Sequence, residues 1–149
     1  MRHTVSSICA GFLTLCLASP LLAEDWQRFR GPNGSARTSN GQVPSTWSDS
    51  ENVKWKTTLS GSGSSSPIVV GNRIFVTSFS GAGGRTNAGD LKRHLICVDR
   101  SNGEILWSKS VDAAVLEDPY QGFIQQHGFA SSTPASDGEH VYVFFGKIG

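Results

Sequence analysis

The chain has 149 residues, with 13 Lys and Arg against 12 Asp and Glu, so its formal net charge of +1 gives no electrostatic footprint for nucleic acid or anionic lipid. Two of its three cysteines, Cys9 and Cys16, lie near the start and leave Cys97 alone in the rest, which excludes a disulfide or a cysteine-built zinc site there. Cys97 reads as a small buried strand residue.

Residues 1–23 have the pattern of an export signal. Arg2 and His3 form a short positive start, Ile8 to Ala18 an apolar stretch, and Ser19-Pro20-Leu21-Leu22-Ala23 a cleavage region ending in a small residue. The apolar stretch falls short of the roughly 20 residues that span a bilayer, so no membrane span is expected. Leu15 before Cys16 is not small, which argues against a lipoprotein signal. Cutting after Ala23 leaves 149 − 23 = 126 residues with 12 basic and 12 acidic side chains. The expected location is periplasmic or extracellular.

Residues 24–50 are polar and rich in Gly, Ser and Asn, with three aromatic residues, Trp26, Phe29 and Trp47. Arg30-Gly31-Pro32-Asn33-Gly34 is turn chemistry, and no periodic pattern is long enough for a helix. An extended lead-in is expected, its aromatic rings packed on the first blade of the domain that follows at 51–149.

That domain contains a repeat. Ser64-Ser65-Ser66-Pro67, Gly71 and Ile74-Phe75-Val76 recur as Ser131-Ser132-Thr133-Pro134, Gly138 and Val141-Tyr142-Val143, at an ungapped offset of 134 − 67 = 67. Five positions are identical, and Ser to Thr, Ile to Val and Phe to Tyr keep the chemistry. A second echo sets Val53 to Leu59 against Leu106 to Val111 around Trp55 and Trp107, 52 residues apart. Both read as alternating strands.

Between the copies, apolar Leu95, Ile96 and Val98, the turn cluster Asp99 to Gly103, and Ile105 to Val111 predict a β-hairpin. Asn102-Gly103 supplies the positive φ that a tight connection requires, and the Asp99 carboxylate caps the turn. The spacing Cys97-x-Asp99-x-x-x-Gly103-x-x-x-Trp107 resembles the tryptophan-docking motif of the β-propeller repeats first described in pyrroloquinoline quinone (PQQ) enzymes, with Cys97 in place of the more usual Ala. The resemblance implies that Cys97, Asp99, Gly103 and Trp107 are structural, the Trp ring packing between neighbouring blades. Asp25 to Gly34 likewise resembles a leader found ahead of many exported bacterial propellers of this kind.

The expected fold is therefore all-β: a β-propeller of four-stranded antiparallel blades, incomplete at about one and a half blades, following a signal peptide. Blade 1 occupies about 64–111, with strands Ser66 to Val70, Arg73 to Ser78, Arg93 to Asp99 and Glu104 to Val111. The crossover loop is 112–130, and blade 2 starts at 131–149 with a second strand His140 to Phe145. Val53 to Leu59 is expected as an outermost strand of a blade closed from the other terminus. A ring needs at least four blades, so the chain reads as the front end of a longer protein whose remaining blades follow Gly149.

Two insertions carry the functional candidates. The Gly-rich loop Ser80 to Asp90 lacks the Gly-Lys-Ser/Thr and helix N-terminus of a phosphate cradle and reads as a surface loop. The crossover Asp112 to Ala130 passes over a face of the ring, where Tyr120, Gln125, Gln126 and His127 are candidate contacts for a ligand or partner, or else Tyr120 and Phe123 anchor a packed connection.

No catalytic residues are assigned. His94, His127 and His140 have no ligand spacing, and no Ser, Cys or Lys nucleophile stands beside an identifiable base. No cofactor is evident, and the adjacent cysteines and calcium ligands of PQQ dehydrogenases are not recognisable. The reading is an exported, non-catalytic PQQ-like propeller that binds or scaffolds a protein or peptide, similar in repeat to the periplasmic propeller that assists outer-membrane β-barrel assembly. The alternatives are the N-terminal part of a PQQ- and calcium-dependent quinoprotein dehydrogenase, and a sensor of polysaccharide or peptide.

Overall fold

The computed structural model describes residues 24–38, 43–81, 90–113 and 117–148. The export signal read at 1–23 and most of the Gly-rich loop, residues 82–89, lie outside the described residues.

Four strands form one antiparallel sheet, each bonded to the next in sequence: β1 (Ile68–Val70), β2 (Arg73–Ser80), β3 (Lys92–Asp99) and β4 (Ile105–Asp112). The order is that of a propeller blade, with β1 and β4 as the two edges. β3 is a central strand buried on both faces, with Ile96, Cys97 and Val98 nearly inaccessible; β4 is exposed along most of its length. Between Cys97 and Val98 the β3–β4 register shifts, because Val98 faces Ile105 while Cys97 faces Trp107. Leu106 is the extra residue of a β-bulge, and such a bulge re-aims the side chain that follows it, here Trp107.

A second sheet begins with β5 (Ala135–Ser136) and β6 (Val141–Tyr142). Its pairings, Ala135 with Tyr142 and Ser136 with Val141, repeat those of Ile68 with Phe75 and Val69 with Ile74, each shifted by 67 residues. The sequence repeat is thus a repeat of strand register. The fold is all-β and propeller-like, its only described α-helix being the five-residue α1 (Phe123–His127) in the crossover.

The bounds of β2, β3 and β4 differ from the sequence reading by one or two residues, and three further elements depart from it. Ser66 and Pro67 precede β1 rather than opening it, because the Ser66 N–H donates to Thr133 Oγ1 (3.2 Å) instead of joining a ladder. The predicted strand His140 to Phe145 shrinks to two paired residues, since no third strand lies beside it among the described residues and a lone hairpin is marginal. Val53 to Leu59 is not a ladder strand. Its side chains alternate between partly buried and exposed as a strand's do, but no described strand runs beside it.

Two apolar clusters hold the blades together. Ile68, Phe75 and Cys97 form one, flanked by Val70, Leu95, Trp107 and Val141. Phe79, Leu91, Ala130 and Phe145 form the other, flanked by Tyr120, Phe129 and Val143. Each draws side chains from both units, so the second sheet packs on the first; burying one Phe or Ile contributes about 1.5–3 kcal/mol.

Candidate functional site

The β3–β4 turn is where the sequence motif becomes geometry. Asp99 accepts from the Ser101 N–H (2.7 Å) and hydroxyl (2.5 Å) and from Asn72 Nδ2 (3.1 Å to Oδ2), and the Ser101 hydroxyl above all holds its carboxyl below the usual range. Gly103 closes the turn at φ 80°, its N–H donating to the Asp99 carbonyl (2.8 Å). Trp55 sits against it. A Cβ at position 103 would lie 2.6 Å from Cδ2 and Cε3 of that indole. Trp55 Nε1–H donates to the Arg100 carbonyl (2.9 Å), and Thr57 Oγ1–H to the Gly103 carbonyl (2.5 Å). Extended segment 53–59 is therefore pinned to the blade by side chains rather than by a ladder.

Trp107 itself, partly buried, packs on Phe75 of its own blade (ring centroids 5.8 Å apart), with Lys109 Nζ 5.5 Å from its ring. Cys97 lies beneath the motif, wholly inaccessible, and burial pushes its thiol up. Asp137 plays at the β5–β6 turn the part of Asp99. The Tyr142 hydroxyl (2.6 Å) and the N–H groups of His140 and Glu139 hold its carboxyl well below the usual range.

The crossover is organised around a buried cation. Arg93, 2% exposed, reaches from β3 to Glu117 (Nη2 to Oε1, 2.5 Å), donates from Nε to the Phe129 carbonyl (3.2 Å), and lies over the Phe129 ring. Its Nη1 has no hydrogen-bond partner among the described residues. Beside this pair is a cleft of about 190 Å³ whose lining includes Arg93, Glu117, Asp118, Phe129, Phe144 and Lys147. Lys147 Nζ and Asp118 Oδ1 pair across it at 2.9 Å. The lining charges therefore balance, and the cleft suits a neutral or zwitterionic segment better than an ion.

Of the four crossover candidates, Tyr120 is an anchor, its ring 5.9 Å from Phe79 and 5.8 Å from Phe129. Gln125, Gln126 and His127 lie together on α1 and are exposed, His127 stacked on Phe123 at 4.3 Å; none of the three lines the cleft. His94 is clamped in the sheet between the hydroxyls of Ser80 (2.8 Å) and Ser110 (2.7 Å), a structural arrangement. Among the described residues no group of three or more His, Cys, Asp or Glu is placed to hold a metal ion.

The stretch from Thr77 in β2 to Lys147 past β6 matches the family described as outer membrane protein assembly factor BamB, residues 77–147 of the 149. It is a PQQ-like repeat. No curated protein and no solved structure gives a match. The matched residues of this PQQ-like repeat take in the docking turn, the crossover and the second Ser-Ser-x-Pro segment. Trp55 and the first Ser-Ser-x-Pro segment lie outside the match and are tied to the repeat by contact and by register.

Sequence reasoning missed Arg93, Glu117 and Lys147. The one signal was positional: His94 and Ile96 occupy one face of β3 and Arg93, Leu95 and Cys97 the other, so a strand buried on both faces must bury Arg93 as well.

Proposed function

We propose that the chain is an exported, non-catalytic PQQ-like propeller module that binds a polypeptide partner. The observation that carries this reading is the crossover. It is fixed to the blade by the buried Arg93–Glu117 pair and the Tyr120–Phe79–Phe129 ring cluster, and it carries an exposed Phe123 (72%) beside Gln125, Gln126 and His127. An exposed aromatic ring ringed by amide and imidazole groups on a rigid frame is the composition of a protein-binding patch. The matching family, described as an outer membrane protein assembly factor, points the same way.

The test is a titration of the full chain with an outer-membrane β-barrel polypeptide held unfolded in dilute urea. Saturable binding that falls at least tenfold in Phe123→Ser and Gln126→Ala supports the reading. Absence of binding, or turnover of alcohols or sugars when PQQ and calcium are added, overturns it in favour of a quinoprotein dehydrogenase. Binding of a polysaccharide instead would reassign the ligand class.

A further inference from the structure

Of the lead-in's three aromatic rings, Phe29 and Trp47 are exposed rather than packed on the blade as the sequence led one to expect, and Trp26 lies against its own Gly31 turn; the segment meets the blades through its backbone instead. Trp26 and Val69 exchange both backbone hydrogen bonds, Trp26 N–H to the Val69 carbonyl (2.8 Å) and Val69 N–H to the Trp26 carbonyl (2.9 Å), an antiparallel bridge on the free edge of β1. The next carbonyl, that of Gln27, accepts from the Ser136 N–H of β5 at 2.8 Å. Val69 and Ser136 are the same position of the repeat, 67 residues apart. Two consecutive residues of the lead-in thus bond to equivalent positions on two successive blades.

The side chains agree with the backbone. Asp25 Oδ1 accepts from the N–H of Gly71 at 2.8 Å, covering the turn that ends β1. The Arg30-to-Gly34 turn folds back over the Trp26 ring, and Gly31, at φ 79°, lies so close that a Cβ there would be 2.8 Å from Cη2 and Cζ3. Arg28 holds this turn shut through Nε to the Gly31 carbonyl (3.3 Å) and Nη2 to the Pro32 carbonyl, and Ala36 N–H closes it onto the Arg30 carbonyl (2.8 Å). An unengaged tail would leave these groups to water and leave the edge of β1 unpaired, a template for any extended chain.

We infer that the free edges of β1 and β5 form a strand-acceptor site whose ligand is the chain's own acidic–aromatic–amide segment Asp25-Trp26-Gln27, which clips two successive blades together. The site reads an extended backbone through Val69 and Ser136 and an acidic side chain through Gly71, while the Gly31 turn packs on the Trp26 ring within the lead-in itself. In a propeller these edges face the axis, so the clip lies at the ring's centre, away from the crossover face, and it stands independently of which partner that face binds.

Hydrogen exchange on the full chain tests this, comparing the intact protein with one lacking residues 24–38 and supplying a peptide of those residues in trans. The Val69 and Ser136 amides should exchange about tenfold faster or more in the deletion, while Ile96 and Cys97 in β3 keep their protection. Added peptide should restore both amides together and saturably, and a peptide carrying Asp25→Ala and Trp26→Ala should not. Unchanged protection at Val69 and Ser136, or a folded deletion that the peptide fails to rescue, overturns the inference. Should the deletion not fold, Asp25→Ala in the intact chain decides: faster exchange at Gly71 supports the clip, and unchanged exchange there overturns it.

Discussion

The Trp55 indole rests on Gly103, 48 residues away, so closely that no side chain fits between them. The contact joins a segment that has no ladder of its own to the turn of the blade that follows. Gly103→Ala must both adopt φ 80° and displace the ring, and is expected to cost about 2–4 kcal/mol. Trp55→Phe keeps most of the apolar contact but leaves the Arg100 carbonyl without its donor, for about 0.5–1.5 kcal/mol. Denaturant unfolding of the two single variants and the double variant checks the coupling; strictly additive losses would mean that the contact carries no energy.

The Arg93–Glu117 pair makes a second prediction. With side-chain exposures of 2% and 11%, the pair is removed from bulk water, and Glu117→Gln strands a buried guanidinium whose Nη1 already lacks a partner among the described residues. The expected loss is about 3–5 kcal/mol, with the crossover freed from the blade. Combining Arg93→Met with Glu117→Gln should recover most of it, because no buried charge is then left unpaired. Thermal melts of the three variants measure the recovery.

His94 sets a pH dependence. Burial, and then the positive charge of Lys92, push its pKa below the ordinary imidazole value, so the unfolded chain takes up a proton before the folded one does. The stability associated with neutral His94 is complete above the unfolded value of about 6.5 and is lost as pH falls from there toward the lower folded value. Tm of the native chain should therefore drop between pH 7.5 and 5 by more than that of His94→Gln. Equal slopes would show that the two serine hydroxyls hold the ring equally well in both protonation states.

Much of the blade was legible because its signals are local. Ile74 to Val76, Leu95 to Val98 and Ile105 to Val111 are runs of strand formers, Asn102-Gly103 fixes the turn between the last two, and the Ser-Ser-x-Pro echo carries the register of β5 and β6. What stayed hidden is held by pairs distant in sequence. Arg93 stands between Lys92 and His94 and looks like part of a solvated charge run until the crossover brings Glu117, 24 residues on, against it. Trp26 meets Val69 across 43 residues with no periodicity to announce a strand. Val53 to Leu59 shows the opposite case, in which alternation was real but the ladder it implied has no described partner.

Two copies of one repeat lie side by side as adjacent blades. The most direct probe of that packing is the point where the copies touch, the Ser66 N–H on Thr133 Oγ1 at 3.2 Å. In a Ser66→Cys, Thr133→Cys variant that also carries Cys9→Ser and Cys16→Ser, with Cys97 too buried to compete, mild oxidation should form one intramolecular disulfide without loss of the native circular-dichroism spectrum. A thiol pair that stays reduced in the folded protein, or closes only after denaturation, would contradict the arrangement of the blades.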